Sequence, residues 1–97
     1  MVENKLSAKN KDVFKILNLL GDKSRLKIIC SVFVRKDICV SDLAKSLGMS
    51  MATTSHHLQV LAKGGLVSSS RNGKKICYKF SESKLADDLK KFICKYK

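Results

Sequence analysis

Proline and tryptophan are both absent from this chain of 97 residues, and aromatic residues make up only 6% of it. Without proline, the turns must depend on Gly, Ser, Asn and Asp. No apolar run approaches the roughly 20 residues that are needed to span a bilayer. The N-terminal sequence MVENKLSAKNKDVF also lacks the apolar stretch of a secretory signal. We therefore expect a cytoplasmic protein that has no membrane as its partner.

Acidic residues are few: 8 Asp and Glu stand against 20 Lys and Arg, which gives a formal net charge of +12. A field of this strength favours a polyanionic partner, either nucleic acid or an anionic membrane surface. Improved solubility is the plainer explanation of the same charge. The hydrophobic content of 44% excludes a disordered chain. Residues 1–97 are expected to form a single domain, with residues 1–9 frayed.

The sequence contains no motif of a catalytic site. It has no carboxylate pair, no Gly-rich phosphate loop and no nucleophile signature. The histidines are His56 and His57, which are adjacent. Neighbouring residues on a helix diverge by about 100°, so the two rings cannot bind one metal ion together. We therefore expect that the protein is not an enzyme.

Apolar residues at helical spacing predict two N-terminal helices. The first apolar face consists of Val13, Phe14, Ile16, Leu17 and Leu20, and ends near Gly21. The second, over residues 23–34, consists of Leu26, Ile29, Cys30 and Phe33. This pattern predicts that Cys30 is buried.

The middle of the chain predicts two short helices joined by a tight turn. They cover residues 40–47 and 51–63, and the turn reads Leu47-Gly48-Met49-Ser50. Gly48 suits the left-handed position that ends a helix, and Ser50 is a good N-cap for the next one. Gly64-Gly65 ends the second helix of this pair.

A β-hairpin and a last helix complete the predicted order. The strands cover residues 66–70 and 76–80, around the tip Arg71-Asn72-Gly73-Lys74, and Asn-Gly is a strong hairpin signal. The last helix covers residues 83–96. The fold class is therefore mainly α with a small β-hairpin: a winged helix-turn-helix with four helices, two strands and a fifth helix. This layout predicts double-stranded DNA as the partner.

The fourth helix has one apolar side and one polar side. Thr54, Leu58, Leu61 and Ala62 form the predicted core face. The remaining side is small and polar, so it can enter the major groove. Its predicted DNA-binding residues are Met51, Ala52, Thr53, Ser55, His56, His57 and Gln59. The hairpin tip adds phosphate contacts from Arg71, Lys74 and Lys75. An ordinary solvated face is the plainer explanation of each element taken alone.

The last helix carries an apolar stripe with Lys and Asp on its opposite side. The stripe consists of Leu85, Leu89, Phe92, Ile93 and Tyr96. Either the same domain or a second subunit must cover it. A homodimer is expected, since a two-fold dimer also matches two DNA half-sites.

The segments LGDKSRLKII and VSDLAKSLGMSMATTSHHLQVLAKGGLVSSSRNGKKICYKFS closely resemble the ArsR/SmtB family of bacterial winged-helix repressors. The resemblance covers about residues 15–82. It implies a homodimer that binds an imperfect inverted repeat and leaves when an inducer binds. It also implies DNA contacts at Met51, Ala52, Ser55 and His56. The chain departs from the family at Met51 and Ala52, where Gln and Ser are frequent, so readout would depend more on DNA shape.

Cysteine usage leaves the inducer open. All four cysteines lack CxxC spacing and are expected to be free thiols in a reducing compartment. The resemblance implies two places for a metal site. On the last helix, Glu82, Lys84 and Lys95 stand at roughly the positions of the family's ligands, and because lysine is a poor ligand at neutral pH, a zinc site of that type is not expected. On the third helix, Cys39 is present but the second cysteine of the family's pattern is missing. The resemblance also implies a redox or reactive-sulfur pair formed by Cys30 and Cys94.

Three outcomes therefore remain for the inducer: thiol oxidation or persulfidation, a thiophilic metal ion or metalloid, and no cysteine sensing. The helix N-terminus at Cys39 favours a thiolate, which helps either of the first two. Cys77 alternates with Ile76 and Tyr78 along a strand, and its expected role is packing or none. An architectural DNA binder without inducer and a protein-interaction winged helix are the remaining alternatives for the whole chain.

Overall fold

The computed structural model describes the backbone of residues 8–95 and the side chains of residue 11 and residues 13–95. Its elements follow one another in the order α1 (Ala8–Leu19), α2 (Lys23–Arg35), β1 (Ile38–Cys39), α3 (Val40–Leu47), α4 (Met51–Lys63), β2 (Val67–Asn72), β3 (Lys75–Phe80) and α5 (Lys84–Lys95). The predicted fold class is confirmed. The first helix begins at Ala8, inside the segment expected to be frayed, and the rest of that segment lies outside the described residues.

The hairpin is part of an antiparallel sheet of three strands in the order β1-β3-β2. The prediction missed β1, since a strand of two residues is too short to show alternation. Ile38 pairs with Tyr78, and Cys39 pairs with Cys77. The β2 and β3 strands extend to the pair Asn72 and Lys75, so they are longer than predicted and the turn is centred on Gly73-Lys74. Gly73 is the first of the two central residues of the turn and has a φ of 66°. A two-residue hairpin turn requires a positive φ at this position, which glycine adopts readily.

The core lies where α2, α3, α4 and the sheet meet. Its fully buried residues include Ile28, Ile29, Leu43, Leu58, Leu61 and Leu66. The predicted core face of α4 is confirmed, with Thr54, Leu58 and Leu61 buried and Ala62 packed against them.

The predicted core face of α2 is confirmed at Ile29 and wrong at Leu26 and Cys30. Leu26 and Cys30 are exposed, while Ile28, Ile29 and Val32 are buried. Apolar residues surround most of this helix, so their spacing alone could not select the side that meets the core.

The turn between α3 and α4 has the predicted chemistry. Gly48 adopts the left-handed conformation, and the Met49 amide donates to the Ala44 carbonyl over 2.9 Å. The Ser50 hydroxyl accepts from the Thr53 amide at 3.0 Å, which caps α4. The buried Thr54 hydroxyl donates to the Ser50 carbonyl at 2.8 Å. These local bonds fix the angle at which α4 leaves the turn.

Helix α1 packs with only one side toward the core. Ile16, Leu19 and Leu20 contact it, whereas Phe14 is 66% exposed and Val13 and Leu17 are similarly exposed. A large part of the predicted apolar face of this helix is thus uncovered in one chain. None of the helices within residues 8–95 combines the length and apolar character needed to cross a bilayer.

Candidate nucleic-acid interface

Helix α4 presents the predicted polar surface to solvent. Met51, Ala52, Thr53, His56 and Gln59 are exposed, and Ser55 is half-buried. The Gln59 amide nitrogen donates to the Ser55 hydroxyl at 3.2 Å, which orders two polar side chains one helical turn apart. The surface therefore carries hydroxyl, imidazole and amide groups over a buried apolar side.

The two histidines of α4 occupy different environments. His56 is exposed, whereas His57 is half-buried and its Nδ1 atom is buried with no hydrogen-bond partner among the described residues. Their ring centroids are 6.1 Å apart, since adjacent side chains diverge on a helix. Only His56 has the exposure that the sequence predicted for a DNA contact; His57 is turned toward the protein.

The carboxylate of Asp22, the N-cap of α2, interacts electrostatically with His57. This carboxylate accepts from the Ser24 amide at 2.7 Å and lies 3.5 Å from the Arg25 guanidinium. The Ser24 hydrogen bond is the main reason that the pKa of Asp22 lies below its usual range, and the charges of His57 and Arg25 act in the same direction. The effect of His57 on Asp22 is electrostatic and acts between α4 and the start of α2.

The hairpin brings its basic residues to α4. Arg71, Lys74 and Lys75 are all exposed, as predicted. A groove of about 280 Å³ separates the hairpin from the start of α4. Its lining residues are Val40, Ser41, Met51, Ser55, Lys74, Lys75 and Ile76. The structure thus brings together predicted DNA-binding residues that are about 20 positions apart in the chain.

A second groove also lies between α4 and the hairpin. It has a volume of about 560 Å³ and is lined by His56, Gln59, Val60, Ala62, Lys63, Ser69 and Tyr78. Both grooves therefore lie between exposed residues of α4 and the strands of the hairpin. An exposed polar helix with a basic hairpin beside it is the arrangement with which a winged helix-turn-helix enters a major groove.

The cysteines are arranged differently from the prediction. Cys39 and Cys77 form a disulfide, while Cys30 and Cys94 are free and exposed. The expectation of free thiols is therefore confirmed at Cys30 and Cys94 and wrong at Cys39 and Cys77, and Cys77 has a bonding partner that the sequence did not predict. The error follows from the missed strand β1, which places Cys39 opposite a residue 38 positions away in the chain.

Metal ligands do not gather at any point of the described chain. Among residues 8–95, no group of three or more His, Cys, Asp or Glu side chains could hold a metal ion. The predicted positions on the last helix do not form such a group: Lys84 and Lys95 are the first and last residues of α5, and Glu82 precedes it. The Lys84 Nζ atom lies 3.2 Å from a carboxylate oxygen of Asp88, with which it forms an ion pair.

The apolar stripe of α5 that was predicted to form the dimer interface is partly buried within its own chain and partly exposed. Leu89 is only 3% exposed because it belongs to the core of its own chain, and Leu85 and Ile93 pack against that core. Phe92 is 60% exposed. Tyr96 lies outside the described residues. The stripe therefore serves mainly intramolecular packing, and exposed apolar surface is found on α1 as well as at Phe92.

Comparison with known proteins identifies related chains. Residues 22–69 match the family described as "Bacterial regulatory protein, arsR family". The cadmium resistance transcriptional regulatory protein CadC of Listeria innocua is 43% identical over 60 residues, which cover 62% of this chain. The chain spans only 50% of the length of that relative. The arsenical resistance operon repressor of Staphylococcus aureus is 32% identical over 77 residues, covering 79% of this chain and 73% of the repressor.

A solved structure shares the fold over most of the chain. It is the solution structure of the homodimeric winged helix-turn-helix DNA-binding domain Mb0332 from Mycobacterium bovis. The TM-score is 0.74 at 26% identity, and the match covers 90% of this chain and 79% of that one.

Proposed function

Since the chain belongs to the arsR family of bacterial regulatory proteins, as its motifs predicted, we propose that it is a dimeric DNA-binding repressor that recognises an inverted-repeat operator. Membership of this family of regulators also confirms that the chain is not an enzyme.

The observation that carries this proposal is the single basic surface formed by α4 and the hairpin. Met51 and Ser55 line the same groove as Lys74 and Lys75, so one duplex can contact the helix and the hairpin at once. The residues of α4 would read base edges, and the hairpin lysines would bind phosphates. The net charge of +12 supports a polyanionic partner.

A homodimer is supported by the uncovered apolar surface of α1. Val13, Phe14 and Leu17 are all more than half exposed in one chain. A contiguous apolar surface of this kind is typical of a protein interface. The related Mycobacterium bovis domain is homodimeric. Two copies related by a two-fold axis would place two α4 helices on half-sites about one helical turn apart.

Thiol oxidation is the inducer class that fits the described chain better. Two cysteines, Cys39 and Cys77, are in bonding contact beside the proposed DNA surface. A thiophilic metal or metalloid needs two or three thiolates, and within residues 8–95 no third donor joins this pair. Because relatives of the chain are cadmium and arsenical regulators, a thiophilic metal ion or metalloid is the second candidate for the inducer.

Selection from a random duplex library, followed by a salt titration, tests the proposal. The reduced protein should enrich an inverted repeat and bind it at least about 1000-fold more tightly than a scrambled duplex. The affinity should fall steeply with salt concentration. Equal affinity for every duplex would indicate an architectural DNA binder, and a shallow salt dependence without DNA preference would indicate a protein-interaction module. Either result contradicts the repressor.

A further inference from the structure

The disulfide joins the two structural units that line the proposed DNA groove. Cys39 is the N-cap residue of α3, and Cys77 lies in β3, the central strand of the sheet. The two residues face each other in the antiparallel pairing of β1 with β3. The bond therefore ties the helix-turn-helix to the hairpin across the sheet.

Both cysteines are close in sequence to residues of the groove. Val40 and Ser41 directly follow Cys39, and Ile76 and Lys75 directly precede Cys77. These four residues are lining residues of the groove that also contains Met51 and Ser55. The distance across the groove, from α4 to the basic hairpin, is thus set by backbone segments that the disulfide holds together.

We propose that Cys39 and Cys77 form a reversible thiol-modification site that reacts with hydroperoxides, and that the resulting disulfide lowers the affinity for DNA. This inference rests on the proposed function for its second half only. The site differs from the pair Cys30 and Cys94, whose thiols are free in the same structure.

The difference in exposure between the two sulfurs sets the order of the reaction. Cys39 is half-buried at a helix N-terminus, whereas Cys77 is 3% exposed. The N-terminus of α3 favours a thiolate at Cys39, so this sulfur reacts with the peroxide first. Cys77, held opposite it by the strand pairing, resolves the product.

The two steps balance with hydrogen peroxide as the oxidant. The Cys39 thiolate attacks one peroxide oxygen, the O–O bond breaks, and hydroxide departs, so that Cys39 becomes a sulfenic acid. The hydroxide takes up the proton that the Cys39 thiol had released and becomes water. The Cys77 thiol then attacks that sulfur, the S–S bond forms, and the S–OH bond breaks to release a second water. Together the two thiols lose two electrons and two protons, and the peroxide takes up both.

The disulfide affects DNA binding because it restricts the movement of the hairpin relative to the helix-turn-helix. Side chains and loops commonly adjust when a protein seats on its partner. In the reduced protein, no covalent bond joins β1 to β3, and strand pairing and the core packing of Ile38 and Tyr78 hold them, so Lys74 and Lys75 at the exposed tip can adjust to the phosphates. In the oxidised protein, a covalent bond two residues from Lys75 ties the hairpin to the start of α3, the first helix of the helix-turn-helix. A change of about fivefold or more in affinity is typical of such coupling.

The test uses the Cys30→Ser, Cys94→Ser variant, which keeps only the proposed pair. Equimolar hydrogen peroxide should remove two hydrogen masses, and peptide mapping should find Cys39 linked to Cys77. Affinity for the duplex selected with reduced protein should fall by about fivefold or more and return with dithiothreitol. The matched control, Cys39→Ser with Cys77→Ala, keeps Cys30 and Cys94 and should show no change in affinity with peroxide.

The outcomes separate this inference from the proposed function. If the reduced protein prefers no duplex, the proposed function fails, while the mass and mapping results still test the thiol chemistry. If the reduced protein binds its duplex and oxidation leaves the affinity unchanged, the regulatory inference fails alone. Mapping of the wild-type protein needs no variant, so misfolding cannot confuse it. A Cys30–Cys94 bond with free thiols at Cys39 and Cys77 would overturn the site.

Discussion

Leu19 of α1 lies against Gly64 at the end of α4, so closely that a Cβ atom on Gly64 would collide with the leucine side chain. Gly64 is buried and has an ordinary helical φ of −77°, so space and not backbone conformation requires glycine there. This contact joins the helix with the uncovered apolar surface to the end of the proposed recognition helix.

Replacing Gly64 with Ala should therefore destabilise the fold by about 1 kcal/mol, the low end of the cost of overpacking, since the Leu19 side chain must move. Chemical denaturation measures the change. In the Leu19→Ala background the same substitution should cost clearly less, because the colliding methyl groups are gone. Equal costs in both backgrounds would show that the two residues do not constrain each other.

His56→Ala should weaken binding to the selected duplex by roughly 1–3 kcal/mol and weaken binding to random DNA less. The reason is the exposure of His56 on the polar side of α4. Fluorescence anisotropy with both duplexes measures the two losses. Equal losses on both would show that His56 reads no base. His57 is turned inward, so comparison with His57→Ala should show lost stability rather than lost specificity.

Changing Lys74 and Lys75 to Ala should weaken binding to all duplexes alike and flatten the dependence of affinity on salt. Two phosphate contacts correspond to a slope change of about two. The control changes Lys27 and Lys91 to Ala. Both are exposed and lie outside the two grooves, so this variant loses the same charge at other positions. If the control variant flattens the salt dependence equally, then the net charge of the protein governs binding, and the location of Lys74 and Lys75 on the hairpin does not.

Phe14→Glu should dissociate the proposed dimer, because it places a charge within an interface that would otherwise be apolar. Light scattering should show a smaller mass, and operator affinity should fall with it. Lys15→Glu, at the neighbouring exposed position, is the control and should remain dimeric. A dimer that survives Phe14→Glu would place the interface elsewhere.

Asp22 should make stability depend on acid pH. Its pKa is lowered in the folded protein, so its contribution is fully present above the unfolded pKa of about 3.9 and is lost as pH falls through the lower folded value. Urea denaturation of wild type and Asp22→Asn should show a wild-type advantage at neutral pH that shrinks below about pH 4. The other carboxylates titrate in both proteins and cancel. An advantage that is independent of pH would contradict this role.

Much of the site could be predicted because its determinants are local. Gly48 ends α3 and Ser50 caps α4 through bonds that span at most five residues, so short motifs were sufficient to place both helices. The polar side of α4 follows from its helical period alone. His57 is the exception: the helical period does not predict its partial burial, and its charge acts on Asp22 at the start of α2, a segment distant in the chain.

The sequence by itself determined the helix-turn-helix, the basic hairpin and the DNA-directed charge, since these depend on caps, turns and periodicity within short segments. Only the tertiary structure decided which side of α2 faces the core, that Leu89 packs within its own chain, and that Cys39 meets Cys77. Each depends on contacts between distant segments, and a helix covered with apolar residues or a strand of two residues carries no local signal of them. The proposed operator surface is therefore local in origin, whereas the thiol pair beside it is a product of the fold.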